Sequence, residues 1–478
     1  MIDLASTVPL WRDSMSDAEW GPERPPLVGH RAADVAIVGA GYSALWTAHY
    51  LQLLDPSLQI VLLEAEEVGH GASGRNGGWC SAEMPMGLGG VARTHGAAGA
   101  IRLQRALHET VDEVCRVVAT EHIQCDLATG GAITLARSPA QLARAREHVD
   151  EARRLGLGDD HVALLDADAA RAAFAATNVL GALRTRQVAA LHPARLVRGL
   201  ARMVERRGAV IHERSRVTEI GERYLRTHGG VLEARVVVRA TEAFTAELPH
   251  LRRRLTPIHS LMIATEPLPD TTWREIGLDD RSTFNDLRHL VIYGQRTADG
   301  RIAFGGRGAR YHWASSLDPR HDVHRPTHEL LVRTLRELLP ATADARITHR
   351  WGGAVAAPRD WWCHVDFDRS TGHATLGGYV GEGVAASNLA GRALAHLITG
   401  VESPLTGLPF VGHRSPTWEP EPLRWIGVNA MISVTASADR HEQRTGRRSR
   451  WRERMIGAVT SGSLRPGIGR GRRRRTAR

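Results

Sequence analysis

The chain contains no lysine: all 62 basic residues among its 478 are arginine. This absence excludes a lysine Schiff base, and with it the usual pyridoxal-phosphate chemistry, because that chemistry needs an ε-amine as the nucleophile. It also excludes the phosphate-binding lysine of a P-loop. A G+C-rich coding sequence would produce the same bias toward arginine, but the chemical consequence holds whatever its origin.

Cysteine and long apolar runs are also scarce. Four cysteines (Cys80, Cys115, Cys125 and Cys363) form no C-x-x-C pair and no spacing suited to zinc. In a chain of this size they are typical of reduced thiols rather than of a disulfide framework. No apolar stretch reaches the 18 residues of a membrane span, and the first residues lack the basic-then-apolar order of a signal peptide. We therefore predict a cytoplasmic protein.

The positive charge is concentrated at one end. The net charge is +10, yet residues 440–478 hold fourteen arginines against two glutamates, which leaves the rest of the chain at −2. Such a composition predicts a disordered, solvated tail. The same arginines are also compatible with contacts to the phosphates of nucleic acid or of an anionic membrane.

Residues 34–64 carry a dinucleotide-binding pattern. A β-branched run at 34–38 leads into the turn Gly39-Ala40-Gly41, then a helical segment at 42–54 and a second β-branched run at 59–63. This order predicts a βαβ unit of about 30 residues with the fingerprint at its first turn.

Each fingerprint position has a physical role. Gly39 permits the sharp turn, Gly41 lets the backbone approach a pyrophosphate, and Ala44 is small enough for close helix–strand packing. Glu64 ends the second strand 25 residues after Gly39, where its carboxylate can accept both ribose hydroxyls. A carboxylate there would repel a 2′-phosphate, which argues against NADP.

The next segment separates FAD from NAD. Residues 68–78, VGHGASGRNGG, resemble the second flavin-contacting loop of the D-amino-acid-oxidase-like FAD superfamily. In that family the loop runs under the pyrophosphate toward the isoalloxazine ring. The resemblance therefore implies FAD as the cofactor, with contacts from Ser73, Gly74, Arg75, Asn76 and Gly77.

Further matches keep the family's order over residues 34–400. The resemblance places Val217 (in RVTEI) beside the adenine, and Thr241 (in VVVRATEAFT) beside the nucleotide. In LGGYVGEGVAASNLAG it places the amides of Gly378, Gly381 and Gly383 toward the flavin pyrimidine. The motifs GASGRNGG, LMIATEPL and RWGG are most similar to gamma-glutamylputrescine-oxidase-like amine oxidoreductases.

The resemblance and the distribution of strands predict an α/β fold. In it, a Rossmann-like FAD-binding domain is interleaved with an α+β substrate domain built on a mixed or antiparallel sheet. The predicted segments are an N-terminal arm (1–33), three FAD-binding parts (34–95, 186–250 and 346–400), a mixed helical and substrate segment (96–185), a substrate domain (251–345), a C-terminal extension (401–435) and the basic tail (436–478). Helices are predicted at 98–120, 139–155, 193–207, 328–339 and 385–397.

The family implies oxidation of the C–N bond of an amine or amino acid. The flavin takes a hydride from the carbon that bears the amine, the imine hydrolyses, and the electrons pass to O2 or to a carrier. Sarcosine-oxidase-like members use a lysine near the flavin to help O2 react, which this chain lacks. Arg307 and His259 are the candidates for a replacement positive charge, and Tyr293 for a substrate contact. A dehydrogenase that is reoxidised by a carrier stays open.

Other interpretations are weaker. Covalent flavin attachment through Cys80 or Cys363 is disfavoured. His321, His324 and His328 lie close together in HDVHRPTH, but Pro326 interrupts them and no carboxylate partner is evident, so no metal site is predicted. Two other classes of function stay open: a flavoprotein tethered to nucleic acid by its arginine tail, and a non-catalytic flavin-binding subunit. The sequence leaves the oligomeric state open.

Overall fold

Two eight-stranded sheets organise the chain, and both form where β-branched runs alternate with turn residues. The computed structural model describes residues 5–248, 250–306, 308 and 310–460, apart from the side chains of residues 458–460. The described residues form eighteen strands, numbered β1 to β18 in chain order: Gly29–Val38, Ile60–Leu63, Trp79–Ser81, Ala132–Ala136, Val162–Leu165, Gly181–Thr185, Val188–Ala190, Val210–His212, Val217–Ile220, Tyr224–Thr227, Gly230–Arg239, Thr256–Thr265, Thr283–Asp286, Ile292–Arg296, Ile302–Gly306, Ile347–Ala357, His364–Asp368 and His373–Gly377.

Helices cover both sheets and both ends of the described chain. They are numbered α1 to α12: Leu10–Asp13, Asp17–Trp20, Tyr42–Leu54, Gly87–Thr120, Pro139–Arg154, Ala167–Ala173, Pro193–Arg206, Asp270–Ile276, Arg325–Leu338, Gly383–Thr399, Leu423–Thr445 and Arg450–Thr460. Helix α4 is interrupted at Gly96, whose backbone is not helical. Within the described residues, none of the helices is both apolar enough and long enough to cross a bilayer.

The first sheet has the strand order β17-β18-β11-β1-β2-β8, with β9 and β10 attached beyond β11. Strands β2 and β11 flank β1 in parallel, as a βαβ unit requires. Residues 35–38 of β1 are buried, because α3 and α10 cover one face and the β9–β10 hairpin covers the other. Helices α3 and α10 approach so closely that a Cβ on Gly391 would lie 2.9 Å from the Thr47 nitrogen.

The second sheet has the order β16-β12-β15-β14-β13-β4-β6-β5. Its neighbours are antiparallel except for the parallel pair β13 and β4, so it is a mixed sheet. The chain contributes strands to it from 132–185, 256–306 and 347–357, between contributions to the first sheet. This confirms the predicted fold class, in which a Rossmann-like domain is interleaved with an α+β domain built on a mixed sheet. Strand β16 belongs to the second sheet, although it lies in the segment 346–400 predicted for the FAD-binding domain.

The two ends of the described chain differ from the prediction. The arm predicted at 1–33 contains α1 and α2, and Trp11 of α1 is buried. Ser16 is the N-cap of α2: its side chain accepts a hydrogen bond from the Glu19 amide, and the Glu19 carboxylate accepts one from the Ser16 amide. The tail predicted to be disordered at 436–478 contains the end of α11 and the whole of α12, which ends at Thr460. The residues after Thr460 lie outside the described residues.

Ion pairs with the body of the protein explain the helical tail. Glu442 of α11 lies 2.7 Å from Arg144 of α5 and 2.8 Å from the His289 imidazole. Arg448, which follows α11, pairs with Glu147 of α5. Some charges of this segment are therefore paired with residues elsewhere in the chain, which local composition cannot reveal.

Candidate active site

A cavity of about 390 Å³ lies where the strands of the first sheet end. Ligands of open α/β sheets bind at this edge, beyond the carboxyl ends of parallel strands. The walls come from the ends of β1, β2 and β11, the beginnings of α3 and α10, the start of β9, and a loop with a short 3₁₀ turn at Ala72–Gly74.

The turn after β1 has no room for side chains. Gly39 has a φ of +103°, and a Cβ on it would lie 2.9 Å from the Ala240 carbonyl oxygen. A Cβ on Gly41 would lie 2.9 Å from Ser73 Oγ, which in turn accepts a hydrogen bond from the Tyr42 amide at 3.0 Å. Glycine therefore leaves a bare backbone cradle at the start of α3, which suits a pyrophosphate.

Glu64 is fixed at the end of β2 by two backbone amides. Ala40 N donates to Oε2 at 2.8 Å, and Glu66 N donates to Oε1 at 3.1 Å. Burial raises the pKa of this carboxyl, although these two hydrogen bonds act in the opposite direction. Each oxygen keeps a lone pair for a further donor, so the carboxylate can accept the two hydroxyls of a ribose.

The glycine-rich loop is held by its own side chain, Asn76. Asn76 Nδ2 donates to the carbonyls of Ala72 and Ser73 at 3.0 and 3.1 Å, and Gly78 N donates to Asn76 Oδ1 at 2.8 Å. From outside the loop, Trp11 Nε1 donates to the Asn76 carbonyl oxygen at 2.7 Å. The loop therefore has a fixed conformation, which the buried N-terminal helix α1 supports.

The predicted cofactor residues fall into two groups. Nine of them line the cavity: Gly39, Gly41, Glu64, Ser73, Asn76, Val217, Thr241, Gly381 and Gly383. Five do not: Ala44, Gly74, Arg75, Gly77 and Gly378. The structure thus brings residues from widely separated parts of the sequence, between positions 39 and 383, to one cavity.

The five residues outside the lining are close-packing positions. Ala44 is fully buried, and Gly74 has no room for a Cβ against the Gly69 carbonyl. A Cβ on Gly77 would lie 2.6 Å from the Tyr293 ring, and one on Gly378 would lie 2.5 Å from Pro358. The Arg75 guanidinium lies 2.5 Å from Asp322. The local shape of the loop depends on these contacts.

Of the candidate catalytic residues, the structure describes His259 and Tyr293, and neither lines the cavity. Arg307 lies outside the described residues. His259 packs against the imidazoles of His312 and His321, with ring centroids 5.2 and 5.7 Å away. Burial, together with these two neighbours, lowers the pKa of His259 to about 3. This low pKa disfavours a positive charge on His259, whose role stays a prediction.

Tyr293 lies on β14 of the second sheet, beside the glycine-rich loop. Its hydroxyl shares a hydrogen bond of 2.8 Å with Ser260 Oγ of β12, and its ring packs against Gly77 and edge-on to Trp79. Tyr293 does not line the 390 Å³ cavity. It joins the second sheet to the loop.

Glu242 lines the cavity and was not predicted. One of its oxygens accepts a hydrogen bond from Tyr379 N at 3.1 Å, while the other, Oε2, is buried and has no partner among the described residues. Burial raises the pKa of Glu242 to about 7. Its position directly after the predicted Thr241 was the available signal, since an acid at a buried strand end is unusual.

A pair of carboxyl groups adjoins the start of α10. Glu382 lies between the cavity residues Gly381 and Gly383, and its carboxylate accepts a hydrogen bond from Ser81 Oγ at 3.0 Å. Burial and the neighbouring charge of Glu382 raise the pKa of Glu83 to about 7. Sequence reasoning missed both residues, because 301 positions separate Ser81 from Glu382.

Among the described residues, one group has the geometry of a metal site: His289, Glu442 and Glu453. Arg144 already occupies it, with hydrogen bonds to both carboxylates. Neither Cys80 nor Cys363 lines the cavity, and burial raises the pKa of Cys363 to about 12. A thiol in this environment is a poor nucleophile for flavin attachment.

The sequence matches the family of FAD-dependent oxidoreductases over residues 34–397. It is 31% identical over 373 residues to the gamma-glutamylputrescine oxidoreductase of Escherichia coli, which covers 77% of this chain and 84% of that protein. It is 30% identical over 394 residues to the probable oxidoreductase OrdL of Rhizobium meliloti, with coverage of 80% and 88%.

Solved structures with the same fold are more distant in sequence. The glycine oxidase of Geobacillus kaustophilus superimposes with a TM-score of 0.66 at 18% identity, over 81% of this chain and 100% of that one. An L-amino acid deaminase of Proteus vulgaris gives a TM-score of 0.64 at 17% identity, over 84% and 98%. At these identities the likeness shows a shared fold.

Proposed function

Because the chain belongs to the family of FAD-dependent oxidoreductases, we propose that it oxidises the C–N bond of a cationic amine to an imine. FAD, when bound, supplies the two-electron acceptor for this reaction. The protein therefore needs to hold the cofactor, orient the amine and exclude water.

The 390 Å³ cavity is the proposed FAD site. The bare turn at Gly39 and Gly41 suits the pyrophosphate, and Glu64 suits the ribose. The buried Oε2 of Glu242 has no hydrogen-bond partner among the described residues, which is energetically costly. A donor group on the bound cofactor would satisfy it. The proposed FAD contacts on the remaining walls are Ser73, Asn76, Val217, Thr241, Gly381 and Gly383.

The carboxyl pair Glu83 and Glu382 is the observation that carries the choice of an amine. Glu83 is exposed and Glu382 is half-buried, and two neighbouring acids resist double ionisation. A bound ammonium group relieves this repulsion, whereas a substrate carboxylate increases it. Because the pKa of Glu83 is about 7, its carboxylate can also take a proton from the ammonium at neutral pH. The name of the Escherichia coli relative, an oxidoreductase of a putrescine derivative, favours the same class.

The experiment is anaerobic mixing of the flavin-loaded protein with single compounds. The panel contains putrescine, gamma-glutamylputrescine, monoamines, glycine and sarcosine. We expect loss of the visible flavin absorbance with an amine that lacks a carboxylate next to the oxidised carbon. Reduction by glycine or sarcosine alone would overturn the choice of substrate class. Reduction by none of them would favour the alternatives, a nucleic-acid-tethered flavoprotein or a non-catalytic subunit.

Variants of the acid pair sharpen this test. Glu83→Gln and Glu382→Gln are expected to raise the KM for the reducing amine by about tenfold or more, because each removes a charge-assisted contact. The matched control is Glu275→Gln on the exposed surface of α8, which should leave KM unchanged. Equal kinetics for all three variants would contradict the role of the pair.

We further propose that reduced enzyme reacts slowly with O2 and passes its electrons to a carrier. The chain has no lysine, and the His259 imidazole is neutral. Stopped-flow mixing of the reduced enzyme with aerated buffer measures the rate. Reoxidation much faster than that of free reduced flavin would establish an oxidase instead, and would direct attention to Arg307.

The cytoplasmic location and the role of the basic C-terminal end are also proposals. The four cysteines are free thiols, which suits a reducing compartment. We propose that residues 461–478 contact a phosphate-bearing surface, on the basis of their charge alone. Binding to RNA or to anionic vesicles should fall steeply with salt and disappear on removal of these residues, while flavin content stays the same.

A further inference from the structure

A second cavity, of about 580 Å³, lies beside the first sheet. Its walls are β9, β11, β17, β18, the segment 250–255 and the segment 413–415. Thr218 and Leu248 border both this cavity and the proposed FAD site. We call it the basic cavity, after the charges described next.

Cations outnumber acids in the lining of the basic cavity. The ionisable residues that line it are Arg239, Arg254, Arg414, His250, His364, His373, His413, Glu219 and Asp366. Both acids are already paired, Glu219 with Arg226 at 3.0 Å and Asp366 with Arg414 at 3.3 Å. Among the described residues, Arg239 and Arg254 have no carboxylate partner.

The positive charges of Arg239 and Arg254 reinforce one another. Arg239 lines the cavity, and its Nη1 donates to Thr245 Oγ1 at 3.0 Å, which leaves most of its N–H donors available for a further acceptor. Burial, together with the charge of Arg254, lowers the pKa of Arg239 to about 10. Burial and the charges of Arg239, His413 and Arg254 lower the pKa of His364 to about 3. The contributions of Arg239, Arg254 and His413 to these shifts indicate a positive potential inside the hollow, in addition to the effect of burial.

The rest of the wall is apolar. Ile220, Val237, Leu251 and Leu255 line the same hollow. A cavity of this volume, with apolar walls and a few convergent charges, has the character of a small-molecule site rather than of a bare ion site. Unpaired guanidinium groups in such a place are most stable with an anion between them, because each keeps donors that fit carboxylate or phosphate oxygens.

We propose that the basic cavity binds a small organic molecule with two or more negative charges, held by Arg239 and Arg254 and packed against Leu251 and Leu255. Phosphate esters and polycarboxylates share the chemistry that the two guanidinium groups recognise. The site is separate from the acid pair Glu83–Glu382, so it does not depend on the identity of the amine substrate.

The test is calorimetric titration of the FAD-loaded protein at low salt. The probes are ADP, pyrophosphate and citrate, with adenosine as the uncharged comparison. We expect ADP to bind and adenosine not to bind. Pyrophosphate and citrate distinguish the two sources of charge, since stronger binding of one assigns the natural ligand to phosphates or to carboxylates. The flavin absorbance, recorded throughout, shows whether FAD stays bound.

Matched variants connect the binding to the two arginines. Arg239→Gln and Arg254→Gln should each weaken ADP binding by about tenfold or more, because each removes charge-assisted hydrogen bonds. Arg252→Gln is the control, since Arg252 is an exposed neighbour that does not line the cavity. Arg254 is exposed enough for its replacement to leave folding intact if the Arg239 variant does not fold.

Three outcomes would overturn the proposal. One is the absence of binding by all three anions. Another is equal binding by wild type, the Arg254 variant and the Arg252 control, which would mean a general attraction to surface charge. The third is release of FAD by ADP in proportion to binding, which would place the anion in the cofactor cavity. None of these outcomes bears on amine oxidation, which the anaerobic titration tests separately.

Discussion

The two sheets present their functional groups in different ways. At the end of the first sheet the cavity is shaped by main chain, with Gly39 and Gly41 leaving space and two amides holding Glu64. The second sheet reaches the loop through side chains, such as the Tyr293 ring against Gly77. A main-chain site is fixed by a few neighbouring residues. A side-chain site depends on strand register, and therefore on residues far apart in sequence.

The strongest test of the main-chain site is Gly39→Val. A branched side chain would strain the backbone at a φ of +103° and collide with the Ala240 carbonyl. We expect complete loss of FAD, measured as the ratio of flavin to protein absorbance after purification, with circular dichroism to check folding. Gly427→Ala is the control, because Gly427 lies on α11 with nothing within 4 Å of a new Cβ. A Gly39 variant that is folded and yellow would contradict the assignment.

Glu64→Gln should have the next largest effect. The amide removes the charge that the ribose hydroxyls would meet, so we expect the Kd for FAD to rise by about 10- to 100-fold. Fluorescence titration of the apoprotein with FAD measures this. Glu222→Gln, an exposed acid in the turn between β9 and β10, should behave as wild type. Equal affinities in both variants would show that Glu64 has only a structural role.

Glu442→Gln tests how far the second sheet depends on its attached helix. Burial acts against ionisation, but hydrogen bonds from Arg144 and His289 lower the pKa of Glu442 to about 2. For an acid with a lowered pKa, the stabilisation is complete above the ordinary carboxyl pKa and is lost as the pH falls toward 2. We expect the variant to lose about 2 kcal/mol at neutral pH.

The pH dependence separates this ion pair from a packing effect. Thermal unfolding of wild type and the Glu442 variant should differ most at pH 7. The difference should shrink once the pH falls below about 4, where the unfolded carboxyl is protonated. A difference that stays constant over this range would mean that the amide disturbs packing rather than charge pairing.

The smallest effect is expected for Tyr293→Phe. This variant loses the 2.8 Å hydrogen bond to Ser260 but keeps the ring against the loop. We expect unchanged flavin content and a loss of kcat/KM for the reducing amine of about fivefold, equivalent to about 1 kcal/mol. Tyr224→Phe on β10, which loses a hydrogen bond to Glu219 at the surface, is the control. A loss of flavin in the Tyr293 variant would contradict the expectation that flavin binding depends on the main chain of the first sheet and not on this side chain of the second sheet.

The same contrast decides what the sequence could predict. Helix α3 has the predicted limits, and the five predicted helices correspond to α4, α5, α7, α9 and α10, three of which end one residue earlier than predicted. Strand β1 begins five residues earlier than predicted. Its first part carries no apolar run, and it pairs with β11 from Gly29 onward. Local sequence patterns predict elements that carry their own apolar residues. They miss the part of a strand that forms because a neighbouring strand pairs with it.

The surroundings of the candidate His259 could not be predicted for a related reason. Its low pKa follows from burial and from His312 and His321, which lie more than fifty positions away. The pair Glu83 and Glu382 likewise comes from opposite ends of the described fold. Helices α11 and α12 were missed because their many arginines are typical of a solvated tail. In the structure, Glu442 pairs with Arg144, and Arg448 pairs with Glu147. These are tertiary effects without a local signature.

The chain passes from one sheet to the other four times: after β2, after β6, after β11 and after β16. Neither sheet can therefore be cut out as a contiguous fragment. Expression of either half alone would expose long unpaired edges, which are templates for aggregation. We therefore expect truncated fragments to be insoluble. The roles of the two sheets have to be tested by point substitutions in the intact polypeptide.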